Sequence, residues 1–292
     1  MKSILLATDG SSHADAAVRF LSRLPGDQHR DVIVLTVVQQ ALDCSATRSA
    51  DALFGQEEAA ANKTYLKVEK MLSGTNTTIR HELRVGHPGE TIVKIAKDCE
   101  VECVVVGARG RSRIRCMLLG CTSDYVATHA DCSVMVIRSD DSRSADQHLR
   151  IAIGYDDSLP AKAALKEFGD LARGDEVEVH LVSILCCLYG FFGEIPLDSE
   201  HDSDLERTKA ARDALNKALT RLRDVVPTAQ AHLIPYEHIG DGLVKFVRDH
   251  QCELVMVGET PISSFHRALL GSVTRFVLRH SPCSVWIARN QI

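Results

Sequence analysis

The chain has 292 residues, 45% hydrophobic and 25% charged, with only 18 glycines and 8 prolines, which excludes collagen-like, low-complexity and mostly disordered classes. Its 34 basic against 39 acidic residues leave a formal charge of −5, which argues against nucleic acid as the main partner. No run of about 18 apolar residues is present to span a membrane, and the length suits two domains better than one.

The first apolar run, Ser3-Ile4-Leu5-Leu6-Ala7-Thr8, reaches an acid at Asp9 too soon for a signal peptide, so a cytoplasmic location is expected. In chain order the first half predicts strands near 3–8, 32–38, 78–85, 102–106 and 133–138. Helices are predicted near 12–24, 57–73, 89–98 and 120–130. Val104-Val105-Val106 and Val134-Met135-Val136-Ile137 are continuous apolar runs, as strands buried on both faces require. A polar stretch over residues 139–148 follows, and the second half predicts strands near 149–155, 177–184, 229–236, 253–258 and 284–289.

The halves repeat one another. An offset of 151 residues carries Ile92-Val93-Lys94-Ile95-Ala96 onto Leu243-Val244-Lys245-Phe246-Val247 and Val104-Val105-Val106-Gly107 onto Val255-Met256-Val257-Gly258. It also carries Leu118-Leu119-Gly120 onto Leu269-Leu270-Gly271. The expectation is a tandem duplication, with domains at residues 1–139 and 149–292. Alternating strands and helices make each an open, Rossmann-like α/β sandwich with a five-stranded parallel sheet. The ten cysteines show no CxxC or zinc-ribbon spacing and read as free thiols, mostly buried. Residues 40–56 and 186–204 read as equivalent loop insertions, the second carrying the apolar cluster Leu188-Tyr189-Gly190-Phe191-Phe192. Trp286, the single tryptophan, is expected in the buried last strand.

After the fourth strand comes Gly107-Ala108-Arg109-Gly110, then nine residues, then Gly120-Cys121-Thr122-Ser123 at a helix start. In open parallel sheets ligands bind beyond the carboxyl ends of the strands, at the point where strand order reverses. Glycines let the backbone approach a ligand, and a helix start suits phosphate. Arg109, Arg111, Arg113 and Arg115 add positive charge, and Asp9 can accept from ribose hydroxyls or hold a phosphate-bound metal ion. No Walker A or GxGxxG pattern follows a strand.

The run Val104-Val105-Val106-Gly107-x2-Gly110-x9-Gly120, with Asp9 on the first strand, resembles the universal stress protein family over nearly all of both halves. The resemblance implies an adenine nucleotide alpha hydrolase-like fold and ATP, AMP or ADP as ligand, with Mg2+ as an accompanying ion. It implies Ala7, Thr8 and Asp9 near ribose or phosphates, Val37 at the base, and Gly107, Arg109, Gly110, Gly120, Cys121, Thr122 and Ser123 around the phosphates. The weaker second-half equivalents are Asp156, Val182, Gly258, Gly271, Ser272 and Val273. It also implies that the last strands, Val134–Ile137 and Val285–Ala288, pair into an internal pseudo-dimer, with a homodimer also open.

Both halves depart from the family pattern. Cys121 replaces a Ser or Thr, with Thr122 and Ser123 next in line to supply the hydroxyl. In the second half Pro261 replaces the second glycine and removes a donor, while Asp157 and Glu259 add negative charge where phosphates would sit. The first half is therefore the expected nucleotide site. No base–nucleophile pair is legible; His13, His87 and His238 read as capping or loop-packing residues first and ligand candidates second. Three classes stay open: a nucleotide-binding stress regulator, a non-nucleotide scaffold or apolar-ligand binder, and a slow ATP hydrolase.

Overall fold

β-branched runs buried on both faces alternate with amphipathic helices, so the chain closes into parallel sheets flanked by helices. The computed structural model describes residues 1–24, 28–39, 50–110, 119–139, 148–171, 177–186, 198–259 and 270–289. The described residues before position 144 form one compact unit and those after it form a second.

Unit 1 runs β1 (Ser3–Ala7), α1 (Ser12–Arg23), β2 (Arg30–Val38), α2 (Ala50–Leu72), β3 (Thr77–Val85), α3 (Pro88–Asp98), β4 (Cys103–Gly107), α4 (Cys121–His129) and β5 (Ser133–Ile137). Its strands lie in the order β3-β2-β1-β4-β5, all parallel, with Ala7 opposite Leu35, Leu6 opposite Val105 and Gly107 opposite Ile137. Strand order therefore reverses between β1 and β4. Ile4, Leu5, Leu6, Val104 and Val134 are fully buried, which accounts for the unbroken apolar runs. α1 presents Ala14, Ala17, Val18 and Leu21 to the sheet at helical spacing, and Ser11 caps it by accepting from the Ala14 N–H at 3.2 Å.

Unit 2 repeats the plan: β6 (Leu149–Gly154), α5 (Leu159–Leu171), β7 (Val177–Cys186), α6 (Asp198–Arg223), β8 (Gln230–Tyr236), α7 (Ile239–Asp249), β9 (Leu254–Gly258), α8 (Ser272–His280) and β10 (Ser284–Ala288). Its order is β8-β7-β6-β9-β10, again parallel. Trp286 lies in the last strand, fully buried, and its indole N–H donates to Glu167 Oε1 at 3.2 Å. The expected α/β class, with five parallel strands in each unit, is what these residues form.

The third and fourth helices of each unit are clasped in the same way. A Cβ on Gly89 would meet the Tyr125 ring at 2.8 Å, and one on Gly240 would meet the Phe276 ring at 2.9 Å. Each ring in turn stacks on a histidine one turn later, Tyr125 on His129 and Phe276 on His280.

The boundaries depart from expectation at the insertions. α2 already begins at Ala50 and α6 at Asp198, inside the stretches read as loop. α6 opens on the polar run Asp198-Ser199-Glu200-His201-Asp202-Ser203-Asp204, which offers helical periodicity no apolar stripe, whereas α2 opens with Ala52, Leu53 and Phe54 ahead of the polar Gln56-Glu57-Glu58. The Leu188–Phe192 cluster lies outside the described residues. Among the described cysteines, Cys103, Cys252 and Cys283 are buried free thiols, while Cys121 is exposed.

Candidate functional site

The carboxyl ends of β1 and β4 bring the two expected halves of the first site together. β1 ends in a tight turn: Asp9 Oδ1 accepts from the Ser11 N–H at 3.0 Å, and Gly10 takes φ +74°. Thr8, buried, folds its Oγ1 back onto the Gly10 N–H at 3.2 Å, so its hydroxyl serves the turn. Ala7, half-buried, closes the strand before it.

Gly107 ends β4 against the first turn of α1, where a Cβ would lie 2.8 Å from the His13 carbonyl carbon. Only a glycine allows that approach without a shift of backbone. His13 itself is tied sideways, its Nδ1 2.9 Å from Ser139 Oγ. Gly110, exposed, sits over the acid: a Cβ there would be 2.7 Å from Asp9 Oδ2. The β1 turn and the glycine loop thus meet at the strand-order reversal.

α4 begins beside this contact. Gly120 is its N-cap and offers no side-chain cap. Its N–H donates to the Ala108 carbonyl at 2.8 Å, and the buried Ser123 hydroxyl lies 2.9 Å from both the Ala108 and Gly120 carbonyl oxygens. Ser123 is therefore a loop clasp rather than the replacement for the hydroxyl absent at Cys121. The first-turn amides of Cys121 and Thr122 are the donors a helix start leaves for an anion. Cys121 is exposed and Thr122 half-buried. Arg109 is half-buried in the loop; Arg111, Arg113 and Arg115 lie outside the described residues. Val37 is half-buried near the end of β2.

Unit 2 keeps the turn and changes its chemistry. Asp156 Oδ1 accepts from the Ser158 N–H at 3.1 Å, as Asp9 does from Ser11. Asp157 takes the place of Gly10, with φ +62°, a conformation acids tolerate better than most residues. Lys162, 3.0 Å away, and the Tyr155 hydroxyl, 2.9 Å away, hold the Asp157 carboxyl below its ordinary range. Burial, with the bond to Asp157, pushes the Tyr155 phenol up to about 12. Pressure on β9 is tighter than on β4: a Cβ on Gly258 would be 2.2 Å from the Pro160 carbonyl oxygen.

Register displaces one expected equivalence. Gly154 lies opposite Val182 as Ala7 lies opposite Leu35, so the counterpart of Val37 is Ile184, and Val182 is buried within the sheet. At α8, Gly271 is the N-cap, Ser272 is exposed and Val273 half-buried. The Gly271 N–H donates to Glu259 Oε1 at 2.8 Å, a contact with no side-chain parallel at Ala108. Pro261 lies outside the described residues.

His238 caps α7, its Nδ1 accepting from the Asp241 N–H at 3.2 Å, and packs on Phe276; His87 sits edge-on to Tyr125. Both are loop-packing residues. Among the described residues no group of three His, Cys, Asp or Glu side chains is arranged to hold a metal ion, and no helix is long and apolar enough to cross a membrane.

Known proteins share the sequence and fold of this chain. A universal stress protein of Mycolicibacterium smegmatis is 26% identical over 98% of this chain and 96% of its own length. One from Methanothermobacter thermautotrophicus is 29% identical over 47% of this chain and 96% of its own. The crystal structure of a universal stress protein from Archaeoglobus fulgidus superposes with a TM-score of 0.65 at 18% identity, covering 99% of this chain and 98% of that one, a likeness of fold. The model of the universal stress protein family matches residues 1–138 and again 148–289, and the chain belongs to that family as a tandem member.

Proposed function

We propose that the first unit binds an adenine nucleotide, ATP or its AMP or ADP relatives, as a regulatory ligand of a cytoplasmic stress-response protein. The observation that carries this reading is the contact of Gly110 with Asp9, which sets an acid beside a glycine loop and an uncapped helix start at the strand-order reversal. Phosphates lie over the Gly107–Gly110 loop and the Cys121 and Thr122 amides, where the α4 dipole and Arg109 favour negative charge. Ribose hydroxyls donate to Asp9, and Val37 packs against the base. Asp9 is also the acid that a Mg2+ ion accompanying a triphosphate would meet.

The test is direct. Freshly purified full-length protein is denatured in acid and the released small molecules are quantified by mass spectrometry. Near-stoichiometric adenine nucleotide from the wild type, lost in Gly110→Pro, is the expected result. Empty protein whose melting temperature ignores added ATP refutes the reading.

A further inference from the structure

β7 and β8 run parallel with His180 opposite Gln230 and Val182 opposite His232, which makes the two histidines diagonal neighbours on one face of the sheet. His180 Nδ1 lies 3.1 Å from His232 Nε2. Two imidazole nitrogens on one tetrahedral Zn2+ stand about 3.3 Å apart, given bonds of about 2.0–2.1 Å. The pair already holds nearly that spacing.

The neighbours decide where the hydrogens sit. His180 Nε2 faces Glu178 Oε1 at 3.3 Å, and a carboxylate only accepts, so neutral His180 carries its hydrogen on Nε2 and leaves Nδ1 bare. Glu178 is held in turn by Arg150, whose Nε donates to Oε2 at 3.0 Å. A carboxylate on the far nitrogen of a ring is the arrangement that orients metal-bound histidines and raises their basicity. His232 Nε2 supplies the hydrogen of the pair, and a neutral imidazole can carry it on Nδ1 instead.

The surroundings favour neutral rings. Burial holds both histidines below the ordinary imidazole range, so the metal-binding form predominates at neutral pH. Phe246 packs against both. His180 is buried, but His232 is half-buried and His250 beside it is exposed, which leaves the pair one side open to solvent. Among the described residues no third His, Cys, Asp or Glu converges with the pair, so water must complete any coordination.

We propose that His180 Nδ1 and His232 Nε2 chelate a borderline divalent metal ion, Zn2+ or a transition-metal neighbour, with Glu178 orienting the first ring. Binding shifts the His232 hydrogen from Nε2 to Nδ1, and the ion replaces the hydrogen bond between the rings. Because β8 is the outermost strand of its unit, the ion fastens that edge to β7. This inference concerns unit 2 alone and does not depend on what unit 1 binds.

The experiment titrates chelator-stripped, full-length protein, labelled with 15N in its histidine rings, with Zn2+ and reads the ring nitrogens by NMR. His180 Nδ1 and His232 Nε2 should shift saturably together, whereas Mg2+, which prefers oxygen ligands, leaves them in place. The Zn2+ affinity should fall as the pH drops through the imidazole range, where protons compete for the same lone pairs. Glu178→Gln should bind about tenfold more weakly, and His232→Gln more weakly still. Ring nitrogens of the wild type that ignore Zn2+ overturn the proposal, and that arm needs no variant to fold. A folded His232→Gln protein whose His180 ring answers Zn2+ as the wild type does overturns it as well. Zn2+ taken up by thiols elsewhere leaves these two rings unmoved and counts against it.

Discussion

Gly110 approaches Asp9 so closely that a methyl group on its Cα would lie 2.7 Å from Oδ2. Gly110→Ala must therefore displace that carboxylate. We expect nucleotide affinity to fall about tenfold, equivalent to about 1.4 kcal/mol. The stability cost stays within about 0.5 kcal/mol, because the clash is with a side-chain end at an exposed position. Calorimetric titration with ATP beside a thermal melt separates the two quantities; unchanged affinity removes Asp9 from the site.

Gly107 and Gly258 face backbone instead, and backbone cannot rotate aside. A Cβ would be 2.8 Å from the His13 carbonyl carbon in the first case and 2.2 Å from the Pro160 carbonyl oxygen in the second. Overpacking of this kind costs about 1–3 kcal/mol. Gly258→Ala should stand at or above the top of that range and Gly107→Ala nearer the bottom. Urea unfolding followed by circular dichroism ranks them; the reverse order contradicts the geometry.

Trp286 donates to Glu167 from a fully buried position. Trp286→Phe removes a hydrogen bond to a carboxyl group and opens space in the sheet–helix core, for an expected loss of about 2–4 kcal/mol. Glu167→Gln retains an oxygen acceptor and should cost less. Paired urea titrations decide; equal losses would show that shape alone matters there.

Three histidines gather where β7, β8 and α7 meet. His180 Nδ1 is 3.1 Å from His232 Nε2, and both rings lie about 5.5 Å from His250. At that separation one of the two nitrogens must be bare, so protonating both breaks the bond. Glu178, itself bonded to Arg150, faces His180 at 3.3 Å and partly offsets a charge, while Phe246 packs against all three rings. Burial first, and neighbouring histidines after it, hold His232 below the ordinary imidazole range, and burial does the same for His180. Above the ordinary value of 6.5 these rings are neutral in both folded and unfolded chains, and their full contribution stands. Below it the unfolded chain binds protons first, so stability is lost until the pH passes the lowered native values. The urea midpoint should therefore fall as the pH drops below about 7, and His232→Gln should flatten that slope. An unchanged slope in the variant refutes the assignment.

The buried strands were legible because Val104–Val106 and Val134–Ile137 must be apolar on both faces, and the turn at Asp9 because an acid and a serine follow the first of them. The helix start at Asp198 was not, since polar helical turns leave no periodic trace, and the start at Ala50 was not because Gly55 breaks the apolar run of Ala52, Leu53 and Phe54 from the helix beyond. The counterpart of Val37 was displaced from Val182 to Ile184 because β7 aligns by ladder register, which sequence similarity between short apolar runs does not fix. The negative charge of Glu259 was visible in the sequence. Its bond with the Gly271 N–H was not, because a contact between residues twelve apart leaves no periodic trace.

The ring contacts of Tyr125 on Gly89 and Phe276 on Gly240 have a consequence for engineering. Each lies on the flank of its helix, past the first turn, so α4 and α8 are gripped from the side as well as by the bonds at their tips. The loop in front can then change its sequence without swinging the dipole behind it. The two units are in that sense one chassis with two interchangeable front ends, and transplanting Gly107–Ser123 onto the second unit is a graft whose aim is already fixed.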